Sequence, residues 1–86
     1  MTILSLYTAV NPCEKDGRWS CEPGTLQKKF QCFADFEKMP FFQRKKTLLS
    51  AVKAVDDGDY DVRGRNGRYS LCEKKSGIPV WCVCVE

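Results

Sequence analysis

The chain has 86 residues, 43% hydrophobic and 12% aromatic, with 14 basic and 11 acidic side chains, a formal charge of +3 and no histidine. One domain is expected over residues 1–86, burying about 60–65% of its unfolded surface with marginal net stability. The aromatic content excludes intrinsic disorder; the charge is too mild to signal nucleic acid or a membrane surface, and no stretch approaches the roughly 20 apolar residues of a membrane span.

Residues 3–10 are apolar and rich in strand formers, which predicts a largely buried strand. Asn11-Pro12 ends it, and Gly17, Pro23 and Gly24 mark residues 11–24 as loop. Residues 25–39 fit two periods. Leu26, Phe30, Cys32, Ala34 and Phe36 alternate as in a strand, whereas Leu26, Phe30 and Phe33 also fit a helix. The length favours a bent strand, or one that breaks early.

Residues 40–55 carry the strongest helix pattern, with Pro40 at the first helical position and Gly58 in place for a left-handed cap. Phe41, Leu48, Val52 and Val55 form the apolar stripe, widened by Leu49 and Ala51. From Asp59 onward three short strands are expected. Asn66-Gly67 is a two-residue hairpin signal, and Ser76-Gly77-Ile78-Pro79 turns the chain into a buried strand, Val80 to Val85. The fold class predicted is α+β: a small disulfide-stapled domain, an antiparallel sheet of four to five strands with one main helix packed on it. Trp81 and the Phe30, Phe33 and Phe36 cluster are its expected core anchors.

Cysteine is the compositional outlier: Cys13, Cys21, Cys32, Cys72, Cys82 and Cys84. An even count in so short a chain points to three disulfides and a secreted protein. Structural zinc needs two close ligand pairs drawn from Cys and His, and only Cys82-Val83-Cys84 offers one, so no metal and no cofactor is expected. On a strand Cys82 and Cys84 share a face and each needs a partner elsewhere, anchoring the last strand twice. Cys13 and Cys21 can close a local loop. A Cys32–Cys72 bridge would close about 40 residues, contributing roughly 4 kcal/mol. The opening segment lacks a basic leader region, so a signal peptide removed before Thr2 is the expectation, with Met1 an added residue.

Catalytic groups are scarce. Without histidine the usual Ser–His and Cys–His nucleophiles are absent, and no enzyme activity is expected. Asp56, Asp57, Asp59 and Asp61 bracket Gly58 but lack the distal glutamate of a calcium hand. Gly64-Arg65-Asn66-Gly67 is too short for a phosphate loop. Gly67-Arg68-Tyr69, Cys72, Ser76-Gly77 and Trp81-Cys82-Val83 resemble about 17 residues of a thyroglobulin type-1 module, a family that includes protease inhibitors. Val80 stands where that family has the first cysteine of its Cys-Trp-Cys-Val core, and Leu71 replaces its glutamine, so membership is not assigned.

Three surfaces suit binding. Arg63, Arg65 and Arg68 surround the expected hairpin tip, with Lys74 and Lys75 beyond it, a grouping able to fork onto phosphate, sulfate or carboxylate. Arg44-Lys45-Lys46 places three cations early in the helix, where the dipole does not favour them. Lys15, Arg18 and Trp19 occupy the 13–21 loop, where Trp19 serves either as an exposed anchor or, the favoured reading, as a satellite core packed under the loop. The leading expectation is a monomeric, secreted, non-catalytic binding protein of the toxin or effector type, serving virulence or competition by acting on a host or competitor molecule. One alternative is a protease inhibitor presenting the 13–21 loop through Lys15 or Arg18. Another is an antimicrobial or anionic-ligand-binding protein using the basic hairpin. The partner, protein or anionic ligand, is not specified by the sequence.

Overall fold

Strand-forming residues dominate both ends of the chain, and both ends enter one sheet. The computed structural model describes residues 2–65 and 67–86. The elements are β1 (Thr2–Lys15), β2 (Arg18–Cys32), α1 (Phe41–Lys53), β3 (Tyr60–Arg65), β4 (Arg68–Glu73) and β5 (Pro79–Val85). A 3-10 turn at Phe36–Lys38 precedes the helix. The five strands form one antiparallel sheet in the order β2-β1-β5-β4-β3. The α+β architecture therefore has its full five strands and one helix.

The first large departure from expectation is residues 11–24, which are not a loop. They are the distal half of a long hairpin, with Cys13 opposite Ser20, Glu14 opposite Trp19 and Lys15 opposite Arg18. Asp16 and Gly17 form its tip with φ of 54° and 75°, the double left-handed conformation of a type I′ turn, which matches strand twist. Pro12 and Pro23 had argued for loop. The ladder absorbs them in register shifts between Leu6 and Cys13, and Asn11 takes a φ of 50° there. Bulges and edge strands are where a sheet tolerates proline, and β2 is an edge. Residues 25–32 continue β2, which settles the strand-or-helix ambiguity for the strand, broken after Cys32.

The core lies between the sheet and the helix. Leu4, Leu6, Val62, Tyr69, Leu71 and Val83 meet Phe36, Leu48, Val52 and Tyr60, all buried. Phe36 meets Tyr69 edge-on, with centroids 5.7 Å apart and planes at 87°. The expected aromatic trio is otherwise divided. Phe30 packs at the core margin, as does Trp81, but Phe33 is 86% exposed just past the end of β2.

The helix is slightly shorter than the predicted 40–55. Pro40 is its N-cap rather than its first residue, and Ala54 closes it in the right-handed conformation. Leu48 and Val52 carry its buried stripe, whereas Phe41 and Val55 at its two ends are exposed. Arg44 is not an outward-facing cation. Its Nε donates to the Met39 carbonyl at 2.9 Å and its Nη1 to the Tyr69 hydroxyl at 3.1 Å, tying helix to sheet.

Gly58 was expected to provide a left-handed cap, but the positive-φ glycines are Gly17, Gly67 and Gly77. The helix exit is organised instead by Asp56. Its carboxylate accepts from the Tyr60 hydroxyl, from Trp81 Nε1 at 3.2 Å and from the Gly58 N–H at 3.0 Å. The first acid of the run is thus a tie between the helix exit, β3 and β5. These donors, Tyr60 foremost, then Trp81 and Gly58, hold the Asp56 carboxyl below its ordinary value. A carboxyl depressed on folding contributes stability that is complete above its unfolded pKa, about 3.9, and is lost as the pH falls through the folded value. Asp56→Asn is expected to flatten the acid limb of a urea-midpoint profile between pH 6 and 2. Parallel profiles for the two proteins would remove this role.

Candidate functional site

The sheet's second face, away from the helix, is where the chemistry collects. Strand alternation puts Leu71 and Val83 into the core and turns Ser70, Cys72, Cys82 and Cys84 the other way. Register confirms the grouping, with Ser70 opposite Cys82 and Arg68 opposite Cys84 on neighbouring strands. Ser5, opposite Cys84 on β1, is fully buried and donates to Glu86 Oε1 at 3.2 Å. Arg63 lies opposite Ser70 on β3. The irregular ladder of the first hairpin bends its distal half back over this face. Cys21 Sγ consequently comes within 3.7 Å of Ser70 Oγ, although 49 residues separate them.

A groove of about 470 Å³ opens where the hairpin meets the sheet. Arg18 and Trp19 line one wall, Arg63 and Arg68 the other, and Ser20, Cys21, Gly64, Ser70 and Cys72 complete the lining. Gly64 is required by close approach: a Cβ there would lie 2.5 Å from the Arg68 carbonyl oxygen and 2.7 Å from Tyr69 Cα. The ion pair among the described residues is Lys38–Asp35, at 3.9 Å, far along the chain from the groove. Arg18, Arg63 and Arg68 thus have no carboxylate partner among the described residues.

The candidate contacts read from sequence are partly united. Arg18 and Trp19 join Arg63 and Arg68 in a single groove, from two segments that the sequence treats as unrelated. Lys15 is exposed beside the hairpin tip, outside the groove lining. Asn66 and the side chain of Arg65 lie outside the described residues. Lys74 and Lys75 belong elsewhere, in a depression shared with Asp57, Asp59 and Glu73. Lys74 also lines a neighbouring depression with Lys46 and Lys53 of the helix. That second basic area is interrupted by the acidic run, as its position after the helix implies.

Ser20, Gly64 and Ser70 are groove residues that the sequence does not mark. A small or hydroxyl side chain between charged neighbours gives no signal until the hairpin's bend is known.

All six cysteines are free thiols in this structure, and Cys21 of the hairpin lies near Cys72 and Cys82 of the sheet, with Cys84 beside Cys82. Burial raises the Cys72 thiol, with Arg63 opposing and Cys21 adding to the shift. Burial first, then the neighbouring Cys84 and Cys21, push the Cys82 thiol up to about 12. A reduced Cys82 is therefore a protonated, inert group at neutral pH. Two of the pairings considered from sequence meet geometric obstacles. Cys13 lies opposite Ser20, so Cys21, the next residue, projects from the other face of the ribbon. Cys32 sits at the root of the hairpin opposite Thr2, on a strand three places from β4. Three strand spacings are about 14 Å, twice the Cα separation of about 7 Å that a bridge to Cys72 would allow. The double anchoring of β5 narrows as well, since the neighbours of Cys82 are Cys21 and its own strand-mate Cys84.

Among the described residues no group of three or more His, Cys, Asp and Glu is arranged to hold a metal ion. Nor is any described helix long and apolar enough to cross a membrane. No family model, curated protein or solved structure matches this chain.

Proposed function

We propose that this chain is a secreted, disulfide-stapled, non-catalytic binding protein of the toxin or effector type. Its target presents sulfate, phosphate or carboxylate groups to the groove between the first hairpin and the sheet. The observation that carries this reading is the convergence of Arg18, Arg63 and Arg68 on one groove without carboxylate partners among the described residues. A planar guanidinium is suited to bidentate recognition of such anions, and a groove wall shields the contact from screening better than an open surface does. Trp19, half-buried on the same wall, offers an apolar face for the ring or chain that bears the anion.

The inhibitor alternative changes in form, because the 13–21 segment is the exposed end of a paired hairpin rather than an open loop. The anionic-ligand alternative merges with the main reading, since the same arginines serve both.

Retention on immobilised heparin, a sulfated polyanion, supplies the test. Binding should weaken with salt, with a log–log slope of roughly −2 to −3 if about three charges are neutralised. The Arg18→Ala, Arg63→Ala, Arg68→Ala triple variant should lower affinity at least tenfold, on the order of one charge-assisted hydrogen bond or more. The control is Lys46→Ala with Lys53→Ala. Equal losses in both variants would mean that net charge, rather than the groove, binds the anion.

A further inference from the structure

We propose that Cys21 and Cys72 form a disulfide that latches the bent hairpin to the sheet and holds the two arginine walls of the groove at a fixed separation. This rests on the secreted, oxidised reading above, and it specifies which of the possible bridges that reading uses.

Three observations select the pair. Cys21 comes over β4 at Ser70, and Cys72 is the next residue of that strand on the same face. Cys21 and Cys72 both line the groove, whereas Cys82 is absent from the lining, although Cys72 at 2% and Cys82 at 0% exposure are both buried. Finally, the thiolate is the form that attacks. Burial raises both the Cys72 and the Cys82 thiol, opposed by Arg63 at Cys72 and by Arg68 at Cys82, and the strand-mate Cys84 adds further to the rise at Cys82. Both thiols lie near Cys21, and Cys72 is the one on the groove lining.

The step balances as thiol–disulfide exchange with a low-molecular-weight disulfide such as oxidised glutathione. The Cys21 thiolate attacks one sulfur of the reagent, forming a mixed disulfide and expelling one glutathione thiolate. The Cys72 thiolate then attacks the Cys21 sulfur and expels the second. Two protein thiols are oxidised, one reagent disulfide is reduced, and the two protons released from the thiols protonate the two departing thiolates.

The bridge has a mechanical consequence. Arg18 and Trp19 lie three and two residues before Cys21 on β2, and Arg63 is cross-strand from Ser70, next to Cys72. Without the bridge, the distal hairpin is held over the sheet by side-chain contacts of the kind that Cys21 makes with Ser70. With it, the groove width is set covalently.

Tryptic mapping without reductant resolves the question, because cleavage separates the relevant cysteines. Cys13 falls in residues 1–15, Cys21 in 19–28, Cys32 in 30–38, Cys72 in 69–74, and Cys82 with Cys84 in 76–86. After refolding in a glutathione redox buffer and alkylation, the expected species joins 19–28 to 69–74. Linkage of 19–28 to 1–15 or to 76–86, or its recovery fully alkylated, overturns the proposal. As a second readout, hydrogen exchange across 19–28 should accelerate about tenfold or more when the bridge is reduced or Cys72→Ser is introduced. Unchanged protection would show that no latch exists. The mapping involves no ligand, so it can succeed while heparin binding fails, and the two readings are judged separately.

Discussion

Phe36→Ala is expected to remove a large part of the protein's stability, about 3–5 kcal/mol by urea denaturation at neutral pH. Phe36 is 1% exposed, yet it belongs to neither the sheet nor the helix. It plugs the core from the 3-10 turn that links them, with its ring edge-on to Tyr69, and its backbone N–H reaches Thr2 Oγ1 at 3.5 Å. Truncation leaves a ring-sized cavity lined by Tyr69 and the surrounding core, which a sheet on one side and a helix on the other cannot collapse to fill. A domain of this size holds roughly 5–10 kcal/mol in total, so the variant should be partly unfolded at modest temperature. Phe33→Ala, three residues earlier on an exposed side chain, is the internal control and should cost under about 0.5 kcal/mol. A loss below about 1 kcal/mol for Phe36→Ala would mean that the turn does not anchor the core.

Reduction is the second large effect. A Cys21–Cys72 bridge closes a loop of about 50 residues, and on the chain-entropy account its loss lowers stability by about 4 kcal/mol. That is about 40–80% of a total of roughly 5–10 kcal/mol. Denaturation midpoints with and without a phosphine reductant should therefore separate widely. Cys72→Ser should reproduce most of the reductant effect and make the protein nearly insensitive to further reduction. Coincident curves in oxidised and reduced buffer would contradict a stapled domain altogether.

The helix and the C-terminal meander were legible in the sequence because each rests on local chemistry. The stripe containing Leu48 and Val52 fixes the buried helix face, and alternation through Tyr69, Leu71 and Val83 fixes the core face of the last strands. The first hairpin was misread for a specific reason. Asp16-Gly17 is as strong a turn signal as Asn66-Gly67, but Pro12, Pro23 and Gly24 stand on its flanks and argue for loop. Prolines exclude a regular central strand, whereas a bulged ladder beside a sheet edge accommodates them. Once the two flanks are paired about Asp16-Gly17, Cys13 is forced opposite Ser20 and the local Cys13–Cys21 loop disappears.

The groove was legible only in its parts. Arg63 and Arg68 could be grouped because they flank one turn, and Arg18 with Trp19 because they are adjacent. Their meeting depends on how far a bulged ribbon bends, which residue type does not encode locally. Arg44 erred in the opposite direction. Its place in a run of three cations suggested an outward role, but the Tyr69 hydroxyl and Met39 carbonyl that bind it are visible only after helix and sheet are packed.

On the proposed reading, the anion site is the hairpin–sheet groove. Titration of the isotopically labelled, oxidised protein with a short sulfated oligosaccharide, followed by amide chemical shifts, locates the contact directly. Shifts should concentrate at residues 18–21, 63–64 and 68–72, the two walls and floor of the groove. Shifts confined to Lys46, Lys53 and Lys74, or spread evenly over the basic residues, would contradict it.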